Sequence, residues 1–139
     1  RLYLTLLGTL LVSAKLEMGR YEETLAFLDE LQVLSVETHQ RLFVPEHHRL
    51  RAETMHRLNP KSPGIEAEYG KALKLAQEQG ALALELRAAC GLAARLAERG
   101  SPAEGTRVLR PVFERFTEGH ATPDLQAAKA LLDGLDQAS

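Results

Sequence analysis

The chain has 139 residues, a length that buries enough apolar surface to fold as one domain. Its 17 basic and 19 acidic residues give a formal net charge of -2 and include no block of Lys and Arg suited to a phosphate backbone, so we expect no nucleic acid partner. The single cysteine, Cys90, excludes an internal disulfide and a multi-thiolate metal site, and it fits a reducing cytoplasmic compartment.

The first apolar stretch covers residues 2–14 and ends at Lys15. A membrane-spanning helix needs about 18 or more apolar residues, so we expect no membrane anchor. No small-residue cleavage site follows the stretch, which argues against a secretory signal. Because the chain opens on Arg1 inside this helical pattern rather than on Met, we expect it to be a fragment of a longer protein.

The sequence is rich in Leu, Ala, Glu, Arg and Gln and lacks the sustained alternation typical of strands, so we predict an all-α chain. Breaks that contain Gly or Pro divide it into seven helices. Their predicted ranges are 2–18, 21–37, 46–58, 64–79, 81–99, 102–117 and 123–136. We group them as a right-handed stack in one helical-repeat domain, 1–139, with hairpins at about 2–37, 46–79 and 81–117 and a C-terminal capping helix at about 123–136.

Two helix starts carry capping signals. Ser101 precedes Pro102, so its hydroxyl is predicted to accept the free amide N–H of Glu104, whose carboxylate would bond back. The pattern recurs at Thr122, where Asp124 adds negative charge to the first turn of the helix. The predicted cost of Ser101→Ala is about 1 kcal/mol.

An internal repeat is visible at the turns within the hairpins. Gly19, Asn59 and Gly100 lie 40 and 41 residues apart, from 19 to 59 and from 59 to 100. Apolar side chains recur at helical spacing after each turn, so each hairpin is expected to bury one face internally and one against its neighbour. These side chains are Leu25, Leu28 and Leu31, then Ile65, Tyr69 and Ala72, then Leu109, Val112 and Phe116.

The stretch Gly19-Arg20-Tyr21 with Leu25, Leu28 and Leu31 resembles the turn and second helix of a tetratricopeptide repeat, with Thr24 where a small residue is usual. Such repeats have a period of about 34 residues. The longer spacing in this chain implies longer helices and looser loops, and armadillo- or HEAT-like stacking remains an alternative.

A second resemblance covers most of residues 46–136. Residues 46–53, 72–81, 84–89 and, most specifically, 116–125 resemble the C-terminal helical-repeat region of large bacterial signalling ATPases. In that family a nucleotide-cyclase or DNA-binding output domain precedes an ATPase module, and the repeats follow as a sensing or autoinhibitory arm. The resemblance implies an arm without activity of its own, because the sequence contains neither a phosphate-binding Gly-rich loop nor a cyclase segment.

The histidines and the cysteine are the residues that could act as metal ligands or nucleophiles. A helical zinc site needs ligands at i and i+4, whereas the positions four residues after His47 and His48 hold Arg51 and Ala52. We expect the histidines to be exposed or locally bonded. We expect Cys90 to be structural, within a run of small residues that permits close helix contact. No metal, cofactor or catalytic residue is predicted.

The first helix of each hairpin is expected to line a concave surface, whose polar residues are candidate binding residues. They are Glu17, Arg49, Glu53, His56, Arg57, Arg87 and Glu98, with Ser13 and Ala94 at neighbouring inward positions. Arg49, Glu53 and Arg57 follow one another at i, i+4, which predicts an intrahelical ion-pair ladder worth about 0.2–0.5 kcal/mol per pair. The alternative is a peptide-binding patch in which Arg49, Arg57 and Arg87 receive a carboxylate.

The first helix is apolar around nearly its whole circumference. Its apolar residues include Leu2, Tyr3, Leu4, Leu6, Leu7, Leu10, Leu11 and Val12. A helix that is apolar on all sides is usually buried on all sides. We therefore expect an upstream hairpin of the intact protein, or a second copy in a two-fold dimer, to cover its outer face.

Three functional hypotheses follow, each from a different class of protein. The first is a non-catalytic sensor or protein-interaction arm of a bacterial signalling ATPase or regulator, whose partner is a protein or peptide, including upstream domains of the same chain. The second is a stand-alone adaptor that binds a partner peptide in its concave groove, which the apolar first helix argues against. The third is a small-molecule hydrolase or metal enzyme, for which the sequence shows no convergent acid, base and nucleophile.

Overall fold

A computed structural model describes residues 2–138 of the chain, with side chains from Thr5 onward. These residues form seven helices and no strand, so the predicted all-α class is confirmed. The helices are α1 (Leu2–Glu17), α2 (Tyr21–Thr38), α3 (Val44–Leu58), α4 (Ile65–Gln79), α5 (Leu82–Glu98), α6 (Pro102–Glu114) and α7 (Pro123–Ala138). None of the helices in this described part is both long and apolar enough to cross a membrane.

Two helices, α1 and α5, end at glycines in the left-handed backbone conformation, and both glycines are predicted repeat positions. Gly19 has a φ of 75° and Gly100 a φ of 92°, and in both turns the next amide donates to a carbonyl five residues earlier. Glycine adopts this conformation without a steric penalty. Asn59, the predicted anchor between them, is extended with a φ of -157°, and its side chain accepts the Lys61 N–H at 3.0 Å. The middle turn is therefore built differently from the other two.

The helices pack in chain order, and the odd-numbered helices also form a row. α1 contacts α3, α3 contacts α5, and α5 contacts α7, whereas α2, α4 and α6 make no substantial contact with one another within residues 2–138. Each even-numbered helix lies against two members of the row. The first helices of the three predicted hairpins therefore share one layer with α7.

Buried apolar side chains form three clusters along this arrangement. The largest joins α5, α6 and α7 and includes Leu86 and Leu109. A second joins α1, α2 and α3 and includes Leu28 and Leu50, and a third places Tyr69 of α4 against α3. Because each cluster lies between helices that are close in sequence, the packing is local along the chain.

Two glycines of the interior allow helices to approach closely. A Cβ at Gly91 of α5 would collide with the ring of Tyr69, which crosses this position. A Cβ at Gly105 of α6 would lie 2.9 Å from the carbonyl oxygen of Ala93. Close packing leaves no room for either methyl group. The close helix contact predicted from the small residues around Cys90 is therefore present.

The capping box predicted at the start of α6 is wrong. Ser101 occupies the N-cap position, but its side chain makes no capping hydrogen bond. The Glu104 carboxylate accepts a hydrogen bond from Arg99 Nη2 at 3.3 Å, because a guanidinium lies within its reach. The cap at α7 is present, since Thr122 Oγ1 accepts the Leu125 N–H at 3.4 Å.

We therefore expect Ser101→Ala to leave the free energy of unfolding unchanged within about 0.5 kcal/mol. Thr122→Ala removes a side chain that does bond the helix start, and it should lower the free energy of unfolding by about 0.5–1 kcal/mol. Urea denaturation of both variants beside the parent chain measures this. A loss of about 1 kcal/mol for Ser101→Ala would show that its hydroxyl caps α6 in solution.

Candidate functional site

The sequence-predicted binding residues lie on the row of odd-numbered helices, in two places. Between α3, α5 and α7 is an open groove of about 450 Å³, called the groove from here on. Its charged lining consists of Arg49, Glu53, Arg87, Arg95 and Asp124, and Ala94 also lines it. The other four predicted residues, Glu17, His56, Arg57 and Glu98, lie at the carboxyl ends of α1, α3 and α5.

A buried carboxylate, that of Glu46, connects the arginines of the groove. Glu46 lies in the first turn of α3 and is 4 % exposed. Arg49 donates to it from Nε at 2.7 Å and from Nη2 at 2.9 Å, and Arg87 Nη1 donates at 2.8 Å. Arg87 Nε also donates to Asp124 at 2.9 Å. These bonds tie α3 to α5 and α5 to α7.

The surroundings of Glu46 keep it ionised. Burial alone raises the pKa of this carboxyl, but the hydrogen bonds and positive charges of Arg49 and Arg87 outweigh burial and hold the pKa below its usual value. The bonds to Glu46 also raise the pKa of Arg49 against the effect of its burial, and the pKa of Arg87 is raised first by its bond to Asp124 and then by the charge of Glu46. The cluster is therefore a closed set of charged hydrogen bonds.

The ion-pair ladder predicted along α3 is only half formed. Arg57 Nε lies 3.5 Å from Glu53 Oε1, as the spacing predicted. The predicted ion pair between Arg49 and Glu53 is wrong, because Arg49 donates two hydrogen bonds to the carboxylate of Glu46. Glu53 accepts the phenol O–H of Tyr69 at 2.7 Å instead.

The carboxyl ends of α1, α3 and α5 are joined by weaker pairs. Arg57 Nη2 lies 3.6 Å from Glu17, and His56 Nε2 lies 2.9 Å from Glu98. Arg95 Nη2 also donates to Glu98 at 2.9 Å. Glu17 and Glu98 are largely exposed, so each pair contributes little to stability.

Sequence reasoning missed Glu46 and Arg95 as members of the site. A signal for Glu46 was present, because it lies 41 residues before Arg87, the same spacing as the repeat. Residues one repeat apart occupy equivalent places on neighbouring hairpins, where opposite charges can meet. Arg95 had no comparable signal, since its partners depend on how α5 rotates against α3.

His39 and His120 are exposed, as expected, and His48 Nδ1 lies 2.8 Å from Glu68. His47 is 6 % exposed and its Nε2 lies 2.8 Å from Thr9 Oγ1 of α1, which corrects the expectation of an exposed or locally bonded side chain at that position. Burial, with the charge of Asp124, raises the pKa of the Cys90 thiol to about 11, so it is protonated at neutral pH. Among the described residues, no group of three or more His, Cys, Asp and Glu could hold a metal ion.

We expect Glu46→Gln to lower the free energy of unfolding by about 1.5–3 kcal/mol at neutral pH, because it removes the charge that two arginines share. The pKa of Glu46 is depressed by folding, so its contribution is present above its ordinary value of 4.5 and is lost as the pH falls through the folded pKa. The difference between the parent chain and the variant should therefore shrink on acidification. Urea denaturation at neutral pH and at about pH 3 measures both values.

Glu17→Gln is the matched control, since the Glu17 side chain is 75 % exposed and its one ion pair among the described residues is the long contact with Arg57. It should change the free energy of unfolding by less than about 0.5 kcal/mol at either pH. A Glu46→Gln difference that stays undiminished in acid would contradict the assignment of the charge.

Arg95, in the lining of the groove, donates from Nη2 to Glu98, but its Nε is buried and has no hydrogen-bond partner among the described residues, so the groove contains one arginine with an unused donor. Its other arginines are paired with carboxylates of the chain. The Cys90 thiol in its wall is held in the unreactive protonated form. Comparisons of the chain with models of known protein families, with curated proteins and with solved structures find no match.

Proposed function

We propose that this chain is a non-catalytic protein-interaction or regulatory arm of a bacterial multidomain signalling ATPase, or of a related transcriptional or cyclase regulator, and that it works in the cytoplasm. The architecture we propose for it is a tetratricopeptide-like, right-handed stack of hairpins. The layer of odd-numbered helices with even-numbered helices against it supports that architecture. The resemblance of residues 116–125 supports the parent family.

The observation that carries the proposal is an exposed apolar surface on α1, called the α1 outer face. It consists of Leu6, Leu7, Leu10 and Leu11 of α1 and of Met18 directly after the helix, which are 40 %, 44 %, 58 %, 45 % and 61 % exposed. Val12 and Leu16, on the other side of the helix, are buried in the core. Grouped apolar side chains on a protein surface mark an interaction site. The side chains of Leu2, Tyr3 and Leu4, also predicted to be apolar surface, lie outside the described ones.

The occupant we propose for the α1 outer face is a further pair of helices from the parent protein. Along the row, α3 lies between α1 and α5, and α5 lies between α3 and α7. α1 has a row neighbour, α3, on one side only among the described helices. A preceding helix pair with an apolar stripe would continue the row and bury the leucines, as each hairpin of a repeat stack does for the next.

The size of the native polypeptide tests the proposal of an arm. An antibody raised against this chain should detect a band several times larger than 15.3 kDa in a lysate of the source organism, because the arm is joined to an ATPase and an output domain. The band from the recombinant chain on the same blot gives the reference. A native band at the size of the chain itself would overturn the proposal.

Self-association of the isolated chain tests the α1 outer face. Without its covering helices the chain should form dimers or larger species at high concentration, and Leu10→Glu should restore the monomer, because a charge on the face cannot be buried cheaply. Light scattering measures the mass of both proteins.

Val33→Glu is a closely matched control, because Val33 of α2 is 57 % exposed against 58 % for Leu10 but lies on another helix. The control should associate as the parent chain does. A strictly monomeric parent chain, or equal effects of Leu10→Glu and Val33→Glu, would contradict an adhesive α1 outer face.

A second candidate function is a stand-alone adaptor that holds a peptide carboxylate in the groove. The unpartnered Nε of Arg95 favours it. The pairing of Arg49 and Arg87 with Glu46 disfavours it, since a peptide would have to displace a carboxylate that is already bonded. A native band close to 15.3 kDa would make this the function to pursue.

A further inference from the structure

A second cavity lies apart from the groove, between α2 and α3. Its volume is about 110 Å³, and its wall includes Ser35 and His47, which are 3 % and 6 % exposed. Ser35 Oγ and His47 Nδ1 are both buried without a hydrogen-bond partner among the described residues. Buried polar atoms are nearly always hydrogen-bonded, and two exceptions in the wall of one cavity call for a shared explanation.

The bonds of His47 define which hydrogen bond its free nitrogen can make. Thr9 Oγ1 donates its one proton to the Thr5 carbonyl oxygen at 2.7 Å, so it must accept from His47 Nε2, which lies 2.8 Å away. Burial, with the charges of His48 and Arg51, lowers the pKa of His47 to about 4, so the ring is neutral near pH 7 and carries one proton. His47 Nδ1 is therefore an acceptor.

The hydroxyl of Ser35 is the second group in the cavity wall that lacks a hydrogen-bond partner among the described residues. Its hydroxyl can both donate and accept, so a ligand hydroxyl would satisfy both atoms by donating its proton to His47 Nδ1 while its oxygen accepts from Ser35. An amide or ester carbonyl of a ligand could bond only Ser35. The pair thus selects a ligand that carries an O–H or N–H group.

The remaining polar wall of the cavity favours negative charge. Arg41 and Arg51 line it, and no Asp or Glu does among the described residues. Arg51 Nη2 bonds Asp29 at 2.8 Å and its other nitrogens make no further ion pair, while Arg41 makes none within residues 5–138. The uncharged amide of Gln32 and the ring of His48, which is already bonded to Glu68, complete the polar wall. Two guanidinium groups in the wall of one cavity suit a carboxylate.

Size limits the ligand to a few non-hydrogen atoms. A protein cavity of about 150 Å³ holds one benzene molecule, so 110 Å³ admits a somewhat smaller molecule. The apolar part of the wall, which includes Leu28 and Leu75, suits the short carbon chain of such a molecule. The exposed side chains of Val36 and Arg41 border the cavity, while Ser35 Oγ and His47 Nδ1 are shielded from solvent.

We propose that this cavity binds a small hydroxycarboxylate anion of about the size of glycolate. Its hydroxyl lies between Ser35 and His47, and its carboxylate faces Arg41 and Arg51. The site goes beyond the function proposed for the α1 outer face and does not depend on it, because it uses other side chains, on α2, α3 and the loop between them.

Glycolate and propionate test the proposal, because they have the same number of non-hydrogen atoms and differ in the hydroxyl. Isothermal titration of the full chain should show glycolate binding at least about tenfold more tightly than propionate, since only glycolate satisfies the buried pair. Addition of glycolate should also shift the ¹⁵N resonance of His47 Nδ1, which gains a hydrogen bond. Neither readout depends on the oligomeric state that tests the α1 outer face.

Ser35→Ala should abolish the preference for glycolate while the chain stays folded, because it removes a hydroxyl that has no partner in the fold. Ser101→Ala, a serine on the distant α6 start, is the control and should keep the preference. Equal affinities for the two anions, a preference that survives in Ser35→Ala, or no binding of glycolate at about 10 mM would each overturn the proposal.

Discussion

The arrangement of the helices depends on one buried carboxylate, that of Glu46, shared by Arg49 of its own helix and Arg87 of the next helix in the row. Apolar clusters between neighbouring helices supply burial, but apolar contacts are not directional and allow helices to slide or rotate. A charged hydrogen bond has a defined geometry, and an ionised group left without its partners in a buried place costs several kcal/mol. We infer that the bonds of Glu46 hold α3 and α5 in one relative position. The bond between Arg87 and Asp124 does the same for α5 and α7.

The same device recurs one hairpin later. Glu85 lies in the first turn of α5 and is 2 % exposed, and it accepts bonds from Arg115 Nη1 at 2.9 and 2.8 Å and from Gln77 at 3.3 Å. An acidic residue in a first turn is also favoured by the helix dipole. Arg115 directly follows α6, so Glu85 ties the start of one helix to the end of the next. In both places a buried first-turn glutamate is therefore bonded by an arginine from another part of the chain: Arg87 of α5 for Glu46, and Arg115 after α6 for Glu85.

The sequence predicted the helices well and the side-chain partners poorly, for physical reasons. Breaks such as Gly19 and Gly100 are local, because a left-handed residue ends a helix whatever surrounds it, and no predicted helix end misses by more than three residues. Partner choice depends instead on how neighbouring helices rotate against each other. The spacing of Arg49 and Glu53 allowed a bond that Glu46 takes over, and Ser101 satisfied every local rule for a cap without forming one. The cavity beside Ser35 could not be predicted at all, since it exists only where α2 and α3 pack imperfectly.

The three separate apolar clusters have a consequence for how the chain opens. Because the described contacts run only between helices near in sequence, we infer that one end can unfold while the rest stays intact. The cluster that joins α1, α2 and α3 is separate from the one that joins α5, α6 and α7, so the two ends can open independently. The cavity with Ser35 and His47 lies between α2 and α3, within the amino-terminal half of the described residues. A small anion bound there, as we propose, would hold α2 on α3 and oppose opening of the end that carries the α1 outer face.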